Sequence, residues 1–499
     1  MKKFYITTSI VYVNAPPHVG FALESIQADV LARYHRQKGD EVFFLTGADE
    51  HGAKIARAAE AVGKDFQLFV DEIAAKVKKL KDVLNLSWDD FIRTTDKKRH
   101  WPGAQKLWRD MAAAGDLYRR KYRGLYCVGH EAFVTEKDLI DGKCRDHQKE
   151  PEVIEEENWF FRLSKYQKKI ESSIKKNKLR IIPEGRRTEV LSFIKEGLED
   201  VSFSRPRKDL SWGISVPDDE TSTMYVWCDA LANYISAIGY GQQKSSPPKA
   251  DPPQAEKFTK WWPADIHLIG KDILRFHALL WPAMLLSAKL PLPKNIFVHG
   301  HLTVDGQKMS KSVGNVVDPF ELVAKYGIDP ARYYLLREIP SGEDGDFSYK
   351  KLKERYNGDL ANGLGNFAAR VLTLAEKLGE IKVDLKSDVD KAVAKKIKAV
   401  QKKVDEKITE FKLHEALAEI WDLIAFGDKY VNEKKPWNAS LSVNEKARTI
   451  FNLIAILDNV AAMLSPFLPE TSKKITESIH WLSKNTLKIK KSAMLFPRI

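Results

Sequence analysis

Two short motifs in this 499-residue chain carry side chains suited to binding phosphate groups. In the first, His18, Gly20 and Phe21 stand where a β-branched and aromatic run, Phe4 to Val13, passes into a stretch with helical spacing. A helix N-terminus attracts anions through its free N–H groups and positive dipole end. Gly20 allows a close approach to the backbone, and His18 can donate a hydrogen bond. The motif is compatible with a phosphate site, but taken alone it favours a structural turn.

The second motif contains Lys308 and Lys311 within residues 308–312, which read KMSKS. It follows a strand-like run over 296–304 and an Asp-Gly turn. Two lysines among small hydroxyl residues form a loop that can fold over a triphosphate and stabilise the charge developing on pyrophosphate. The alternative for this motif is an ordinary basic surface loop.

A third group of residues has the types and spacing of a metal site. Cys127 and His130 form one pair, Cys144 and His147 form another, and each pair encloses two residues. Two thiolates and two imidazoles can close a tetrahedral zinc site, and four protein ligands leave no open coordination position. The spacing predicts structural Zn²⁺, and the alternative is a metal-free knuckle held by the core of its own domain.

An alternation of strand-like and helical segments must position these motifs. The run Phe4 to Val13, a helical stretch and a second run, Glu41 to Thr46, predict a β-α-β unit of a parallel sheet. From about 116 to 225, charge runs, short strands and clustered cysteines indicate an inserted domain. The alternation then resumes with strand-like runs at Met224 to Cys228 and Ile266 to Ile269.

Beyond about residue 350 no strand signal is convincing, and helical periodicity predicts an all-helical C-terminal domain. The predicted helical stretches are 388–412, 413–432 and 443–466. The predicted segments are 1–115 and 226–350 for the two halves of the α/β domain, 116–225 for the insertion and 351–499 for the helical domain.

Composition narrows the class of protein. Lys and Arg number 81 against 68 Asp and Glu, a net charge of +13, which suits a nucleic-acid partner or equally a well-solvated lysine surface. Three cysteines are too few for a disulfide framework and favour a reducing compartment. The longest apolar runs, such as 278–286, are too short to span a membrane, and the N-terminus begins directly in a strand-like run. The sequence predicts a cytoplasmic protein without a membrane segment.

Longer blocks resemble methionyl-tRNA synthetases, a family of class I aminoacyl-tRNA synthetases, from the first strand to the helical C-terminal domain. Residues 308–312 match the lysine signature of class I without a mismatch, and residues 18–21 resemble its histidine signature. Residues 46–52 (TGADEHG), 225–236 (YVWCDALANYIS) and 270–273 (GKDI) resemble further blocks. The resemblance implies a Rossmann-type doubly wound parallel catalytic domain with an inserted zinc-knuckle domain, followed by an all-α helical-bundle anticodon-binding domain.

The resemblance also implies the substrate-binding residues. Asp49 pairs with the ammonium group of methionine, and Asp272 contacts the ribose of ATP. A thioether suits a flexible, polarizable, aromatic-lined slot. The residues implied for that slot are Ile10, Tyr12, Trp227, Ala230, Leu231, Tyr234, Phe276 and His277. The residues implied to bind ATP, which carries Mg²⁺ on its phosphates, are His18, Gly20, Phe21, Lys308 and Lys311. Of these, His18, Lys308 and Lys311 are implied to be catalytic.

Anticodon recognition is implied for the helical domain. Residues 432–437 (NEKKPW) resemble the anticodon-reading block of the family, and Trp437 after a proline can stack on a splayed base. Asn362, Asn366 and Arg370 recur every four residues, share one helix face and can read base edges. The alternative for Trp437 is helix-cap packing.

The implied activity is that of a methionine–tRNA ligase. It activates L-methionine with ATP to methionyl-adenylate, releases pyrophosphate and charges the 3′ adenosine of initiator and elongator tRNAs. Phe21 departs from the family, because a second histidine stands at this position and phenylalanine cannot donate a hydrogen bond. Loss of one preorganised donor typically costs about 3–4 kcal/mol. We expect activity nonetheless, because the lysines and the slot are intact.

Other classes fit the sequence less well. Leucyl, isoleucyl and valyl synthetases carry a longer insertion than 116–225, and a cysteinyl enzyme places zinc thiolates within its active site. A zinc-bearing tRNA-binding module without catalysis remains an alternative. Because the chain ends at Ile499, soon after the helical domain, the sequence predicts a monomer.

Overall fold

The computed structural model describes residues 1–130, 132–134, 136–146, 148–242, 254–309, 314–384, 388–483, 486–490 and 494–499. Its internal contacts divide the chain into two compact units. The first unit comprises 1–17, 35–81 and 87–299, and the second comprises 18–34, 82–86 and 300–499.

A parallel sheet forms the centre of the first unit, and Asp90–Arg93 pairs beside Glu41–Asp49. The strands share one direction, and those in its middle are buried on both faces, which explains their continuous apolar sequence. The predicted doubly wound parallel sheet is therefore confirmed. In spatial order the other strands are Arg180–Ile182, Asn295–His299, Ile266–Gly270, Lys3–Thr8, Glu41–Asp49 and Val11–Tyr12.

Two strand predictions were wrong in detail. The run Phe4 to Val13 divides into Lys3–Thr8 and Val11–Tyr12, because the second part pairs only with the last residues of Glu41–Asp49. The run Met224 to Cys228 is instead the end of strand Asp219–Met224 and the start of helix Val226–Ser236. A short apolar run has no periodicity that separates a buried strand from a buried helix.

Antiparallel strands fill much of the range 116–225. Arg180–Ile182 lies within that range and nevertheless belongs to the parallel sheet, where it pairs with Asn295–His299. The predicted segment boundaries stay predictions. The antiparallel strands are Leu117–Cys127, Ala132–Val134, Leu139–Ile140, Lys143–Cys144, Glu152–Phe161, Val201–Ser202, Ser204–Pro206, Ser215–Val216 and Asp219–Met224. Helices that lie wholly or mostly in the first unit are Ala53–Ala61, Phe66–Val83, Trp101–Ala113, Gln167–Lys175, Glu184–Glu196, Val226–Ser236, Gln254–Trp261 and Trp281–Ser287.

The second unit is mainly helical. Val19–Gln37 begins in it, and the predicted helical region beyond 350 is confirmed. The expectation of no strand there was wrong at one place, since Glu380–Lys382, Ile479–Ser483 and Thr486–Ile489 form a small antiparallel sheet. A second small sheet consists of Leu302–Val304, Gln307–Lys308 and Gly345–Phe347. The further helices are Pro319–Tyr326, Ile328–Glu338, Tyr349–Arg355, the π-helical Tyr356–Gly365, Asn366–Leu378, Lys391–Thr409, Leu413–Lys434, Val443–Leu464 and Pro469–Glu477.

Among the described residues, one helix, Val443–Leu464, has the length and apolar composition needed to cross a membrane. It packs against Asn366–Leu378, Leu413–Lys434 and Pro469–Glu477. In its most apolar stretch of 18 residues, 61% is buried. The core helix of a globular domain has the same properties. The predicted absence of a membrane segment stays a prediction.

Candidate active site

His18 is exposed directly before helix Val19–Gln37, and its ring is fixed against the turn that follows. The backbone N–H of Gly20 donates to Nδ1 of His18 over 3.1 Å, so the proton of a neutral ring lies on Nε2. Sterics also favour glycine at position 20, because a Cβ added there would lie 2.9 Å from Cε1 of His18. The glycine therefore lets the ring fold onto the turn with Nε2 as the hydrogen-bond donor.

Lys308 ends the hairpin formed by Leu302–Val304 and Gln307–Lys308, and its side chain is exposed. Asp346 anchors this hairpin by accepting hydrogen bonds from Oγ1 of Thr303 (2.6 Å) and from the backbone N–H of Gly306 (2.7 Å). Burial raises the pKa of Asp346, but these hydrogen bonds outweigh it and hold that pKa below its ordinary value. A fixed hairpin thus presents Lys308, whereas Lys311 lies outside the described residues.

Within the second unit the two phosphate motifs lie together. Cε of Met309 is 3.8 Å from the position that a Cβ on Gly20 would occupy. The backbone N–H of Val19 donates to the carbonyl of Val317, at 3.0 Å. Phe21 is almost fully buried in the first turn of its helix, so it packs as an apolar residue. Histidine and lysine motifs that are far apart in the sequence therefore form one neighbourhood.

In the first unit, the aromatic residues predicted for the methionine slot pack on one another. The rings of Trp227 and Phe276 stack with centroids 3.8 Å apart and planes at 7°. Oη of Tyr234 lies 2.7 Å from Nε2 of His277, and Nδ1 of His277 lies 3.0 Å from the carbonyl of Ile273. Since a carbonyl only accepts, Nδ1 carries the proton and Nε2 accepts from the tyrosine. Burial lowers the pKa of His277 to about 4, which keeps the imidazole neutral.

Helix Val226–Ser236 gathers the predicted slot residues on one face. Trp227, Ala230, Leu231 and Tyr234 follow helical spacing; Trp227 is half-buried and the other three are buried. The half-buried Trp227 packs against the same core as Ile10, Tyr12 and Phe276.

The predicted ammonium ligand Asp49 ends strand Glu41–Asp49 and is nearly buried. Tyr12 is its partner in the neighbouring parallel strand, so the two side chains start from adjacent backbone positions. Asp272 lies exposed in the turn after strand Ile266–Gly270. Ligands of open parallel sheets meet the carboxyl ends of strands, which is where both carboxylates stand.

Sequence reasoning missed a buried ionic group behind the slot. Asp229 contacts both His51 and His100 at 2.6 Å. His51 and Asp229 lie within two of the family-like blocks, and that was an available signal. His100 lies outside them, and only the fold brings it to Asp229.

Three of the four predicted metal ligands come together. The ligand atoms of Cys127, His130 and Cys144 lie within 4.8 Å of one another, and both cysteines are buried. Nδ1 of His130 is 3.5 Å from Sγ of Cys144, close to the ~3.5 Å edge expected from tetrahedral Zn–S and Zn–N bonds. Nε2 of His130 lies 3.0 Å from a carboxylate oxygen of Asp146, the outer partner that zinc-bound imidazoles usually have. The donor set therefore fits a structural metal, and His147 lies outside the described residues.

In the helical region, three of the four predicted anticodon residues line one cavity of about 360 Å³. Trp437 is 50% exposed, the guanidinium of Arg370 lies 4.9 Å from its ring centre, and Asn366 lines the wall. Arg370 also donates to Oδ1 of Asn432 over 2.7 Å. Asn362 is not among the lining residues and accepts instead from Arg498. It lies in the π-helical segment, whose wider turn breaks the four-residue register predicted for this face.

Comparison with known families agrees with this architecture. The model of "tRNA synthetases class I (M)" matches residues 4–145 and 134–372, and that of the anticodon-binding domain of tRNA ligases matches 390–498. The fold and its parallel sheet are those of a class I aminoacyl-tRNA synthetase.

Full-length relatives carry the assignment further. The methionine–tRNA ligase of Clostridium acetobutylicum is 44% identical over 100% of this chain and 78% of its own length. That of Brucella suis is 43% identical over 95% of this chain and 91% of its own. The Mycobacterium tuberculosis methionyl-tRNA synthetase in complex with methionyl-adenylate superposes with a TM-score of 0.93 at 38% identity, covering all of both chains. The chain belongs to the methionyl-tRNA synthetase family.

Proposed function

We propose that this chain activates L-methionine with ATP to methionyl-adenylate and transfers the methionyl group to the 3′ adenosine of its tRNA. The observation that carries the proposal is the neutral, hydrogen-bonded Tyr234–His277 pair beside the Trp227–Phe276 stack. Such a slot is apolar and polarizable, as a thioether requires. The relative solved with methionyl-adenylate supports the same substrate.

Methionine binding divides between two kinds of group. Asp49 pairs with the ammonium, and the slot formed by Ile10, Tyr12, Trp227, Ala230, Leu231, Tyr234, Phe276 and His277 receives the side chain. His277 has its Nδ1–H committed to a backbone carbonyl, so its ring is fixed as an acceptor for Tyr234. This fixed pair favours a shape-matched thioether over a side chain that brings its own charge.

The reaction needs positioning and charge stabilisation rather than a side-chain nucleophile. The carboxylate of methionine attacks the α-phosphorus of ATP, and pyrophosphate leaves. His18 donates from Nε2 to a phosphate oxygen, Lys308 and Lys311 stabilise the leaving pyrophosphate, and Gly20 and Phe21 line the nucleotide. Asp272 accepts from the ribose. Mg²⁺, when bound with ATP, supplies further charge neutralisation on the phosphates.

Transfer requires recognition of a methionine-accepting tRNA, initiator or elongator. Trp437 stacks on an anticodon base, and Asn366 and Arg370 contact base edges from the cavity they line. Asn362 belongs to the same proposed surface, although it first has to release Arg498. The positive net charge of the chain favours approach of the polyanion.

ATP–pyrophosphate exchange with each of the twenty amino acids tests the activity. We expect exchange with methionine far above that with leucine, isoleucine, valine or cysteine. Exchange with another amino acid would assign a different synthetase, and exchange with none would leave a non-catalytic tRNA-binding module.

Phe21 has its own test. We propose that the enzyme is active with this residue, because His18 and Lys308 retain the hydrogen-bonding and charged groups that handle phosphate. Phe21→His is expected to change the exchange rate by less than about tenfold. A gain approaching the ~100-fold that one preorganised donor provides would show that the missing histidine limits this enzyme.

Zinc is proposed at Cys127, His130, Cys144 and His147, where it holds the knuckle together. Metal analysis of the purified protein is expected to give one zinc per chain, and Cys144→Ser is expected to lose it. We also propose a monomer located in the cytoplasm. Light scattering coupled to gel filtration measures the first of these, and a mass of twice 56.9 kDa would contradict it.

A further inference from the structure

Asp229 is a carboxylate buried within the first unit, with 1% of its surface exposed. One oxygen, Oδ2, lies 2.6 Å from Nδ1 of His51, and the other, Oδ1, lies 2.6 Å from Nε2 of His100. Each oxygen therefore accepts from a different part of the chain. Burial raises the pKa of Asp229, but the two histidines outweigh it and hold that pKa below its ordinary value. The carboxylate consequently stays ionised and both rings donate to it.

Asp229 lies on the back of the helix that carries the methionine slot. On helix Val226–Ser236, Asp229 and Ser236 project from the side opposite to Trp227 and Tyr234. His100 contacts this back face through both ring nitrogens. Its Nε2 donates to Asp229, and its Nδ1 lies 2.8 Å from Oγ of Ser236. The slot-bearing helix is thus fixed from behind.

His51 connects the same carboxylate to the proposed ammonium ligand, because it stands two residues after Asp49. Its ring is held edge-on by Trp101 and Trp212, with ring centres 6.2 and 5.4 Å away. Nε1 of Trp212 in turn donates to the carbonyl of Glu50 at 2.5 Å. The segment after strand Glu41–Asp49 therefore has little freedom to move relative to Asp229.

We propose that Asp229 is a positioning residue that sets the spacing between the ammonium ligand Asp49 and the side-chain slot of Trp227 and Tyr234. The proposal rests on the methionine-binding roles proposed above and adds a residue that contacts no substrate. One carboxylate with both oxygens engaged links the two elements that hold the two ends of the amino acid. Its loss lets those ends drift apart, which weakens methionine binding and leaves ATP binding unchanged.

Asp229→Asn tests the link, because it keeps the shape and removes the charge that both histidines require. The assay is ATP–pyrophosphate exchange with separate titrations of methionine and ATP. A displacement of about 1 Å at a reacting group can cost ~100-fold. We expect the methionine KM to rise at least about tenfold, with the ATP KM within about twofold of the parent enzyme.

Asp116→Asn is the matched control for the loss of a buried carboxylate. Asp116 is fully buried and accepts from Nζ of Lys165 (2.5 Å), Oγ of Ser287 (2.7 Å) and the hydroxyl of Tyr166, but it contacts none of the methionine-binding residues. It is expected to lower the Tm and leave the methionine KM unchanged. An equal rise in methionine KM in both variants would overturn the proposal, because general destabilisation would then explain it.

His100→Gln provides a second test if Asp229→Asn does not fold. Its amide can still donate to Asp229, so we expect an intermediate methionine KM and a larger rise in His100→Ala. A methionine KM unchanged in His100→Ala would overturn the link through His100. If the parent enzyme itself shows no methionine-dependent exchange, the proposed function fails. Normal parent exchange with an unchanged KM in these variants rejects only the positioning role.

Discussion

The proposed methionine slot of the first unit and the groups of the second unit proposed to bind polyanions are built in opposite ways. In the slot, side chains hold one another, as Tyr234 holds His277 and Trp227 stacks on Phe276. In the second unit, Lys308 and Trp437 are exposed on backbone that other residues anchor.

The difference follows from the ligands. A small apolar side chain is selected by fixed shape, which requires buried and mutually satisfied neighbours. A triphosphate or a tRNA is bound by charged side chains and by aromatic faces on which bases stack, and these groups must be accessible from solvent. Substitutions of these exposed groups of the second unit are therefore expected to change function without loss of stability, whereas substitutions in the slot change both.

The largest effect is expected for Lys308→Ala. Removal of one preorganised group that stabilises developing charge typically lowers kcat by about 100- to 1,000-fold. The side chain is exposed, so the Tm should stay within about a degree of the parent value. Pyrophosphate exchange and thermal unfolding measure the two quantities. Gln307→Ala, at the exposed neighbour in the same strand, is the control, and an equal loss of rate there would contradict a specific role for Lys308.

The slot makes a pH-dependent contribution to stability through His277. In the folded chain its pKa is about 4, against 6.5 when it is exposed on unfolding. As the pH falls from 6.5 towards 4, His277 becomes protonated in the unfolded chain but stays neutral in the folded chain. The free energy of unfolding therefore decreases. The loss approaches about 3 kcal/mol by the low end of that range.

His277→Gln removes this pH dependence. The parent protein should be more stable than the variant at pH 7.5, and the difference should shrink steadily as the pH falls towards 4.5. Thermal unfolding at a series of pH values measures it. His35→Gln is the comparison, because burial lowers the pKa of His35 too and a parent-to-variant difference that shrinks with falling pH is expected there as well. The methionine KM separates the two variants: it should rise in His277→Gln and stay unchanged in His35→Gln, because His35 stacks on Phe4. A parent-to-variant difference independent of pH would contradict a neutral His277.

A smaller effect is expected for Trp437→Ala. Stacking of a base on an aromatic side chain contributes about 1–3 kcal/mol, so kcat/KM for tRNA charging should fall roughly 5- to 150-fold. Pyrophosphate exchange without tRNA should be unaffected. Trp481→Ala removes a tryptophan of matched exposure, 48% against 50%, from strand Ile479–Ser483. Equal loss of tRNA charging in both variants would argue against the cavity as the anticodon site.

The smallest effect is expected for Arg370→Lys. The lysine keeps the charge but loses the planar contact with Trp437 and the directed hydrogen bond to Asn432. A cation–π contact at such an exposed site contributes about 0.5–1 kcal/mol, so the KM for tRNA should rise only severalfold. A tRNA titration of aminoacylation measures this. A loss larger than that of Trp437→Ala would show that Arg370, not the tryptophan, dominates the site.

Sequence alone predicted the parallel sheet and the helical C-terminal region, and the structure confirms both. Those two predictions rest on periodicity, whereas the slot residues Trp227, Ala230, Leu231 and Tyr234 were implied by the resemblance of residues 225–236 to the family. The role of Asn362 stays a prediction, although a π-helical turn takes it out of register with Asn366 and Arg370. Sequence reasoning failed at Met224 to Cys228, where a short apolar run carries no periodicity. It also missed His100, because nothing in its local sequence indicates a buried partner.

What the sequence predicted by itself is chemistry that is local along the chain: phosphate binding at His18 and Gly20 and at the lysine motif, and metal binding by the paired cysteines and histidines. Residue types and short spacings suffice for these, because their geometry is set within a few peptide units. What only the tertiary structure decided is which distant residues share a site. Asp229 joins His51 to His100, and Met309 lies against Gly20, through packing of elements far apart in sequence. Such contacts depend on how whole elements bury their surfaces together, and no local pattern specifies them.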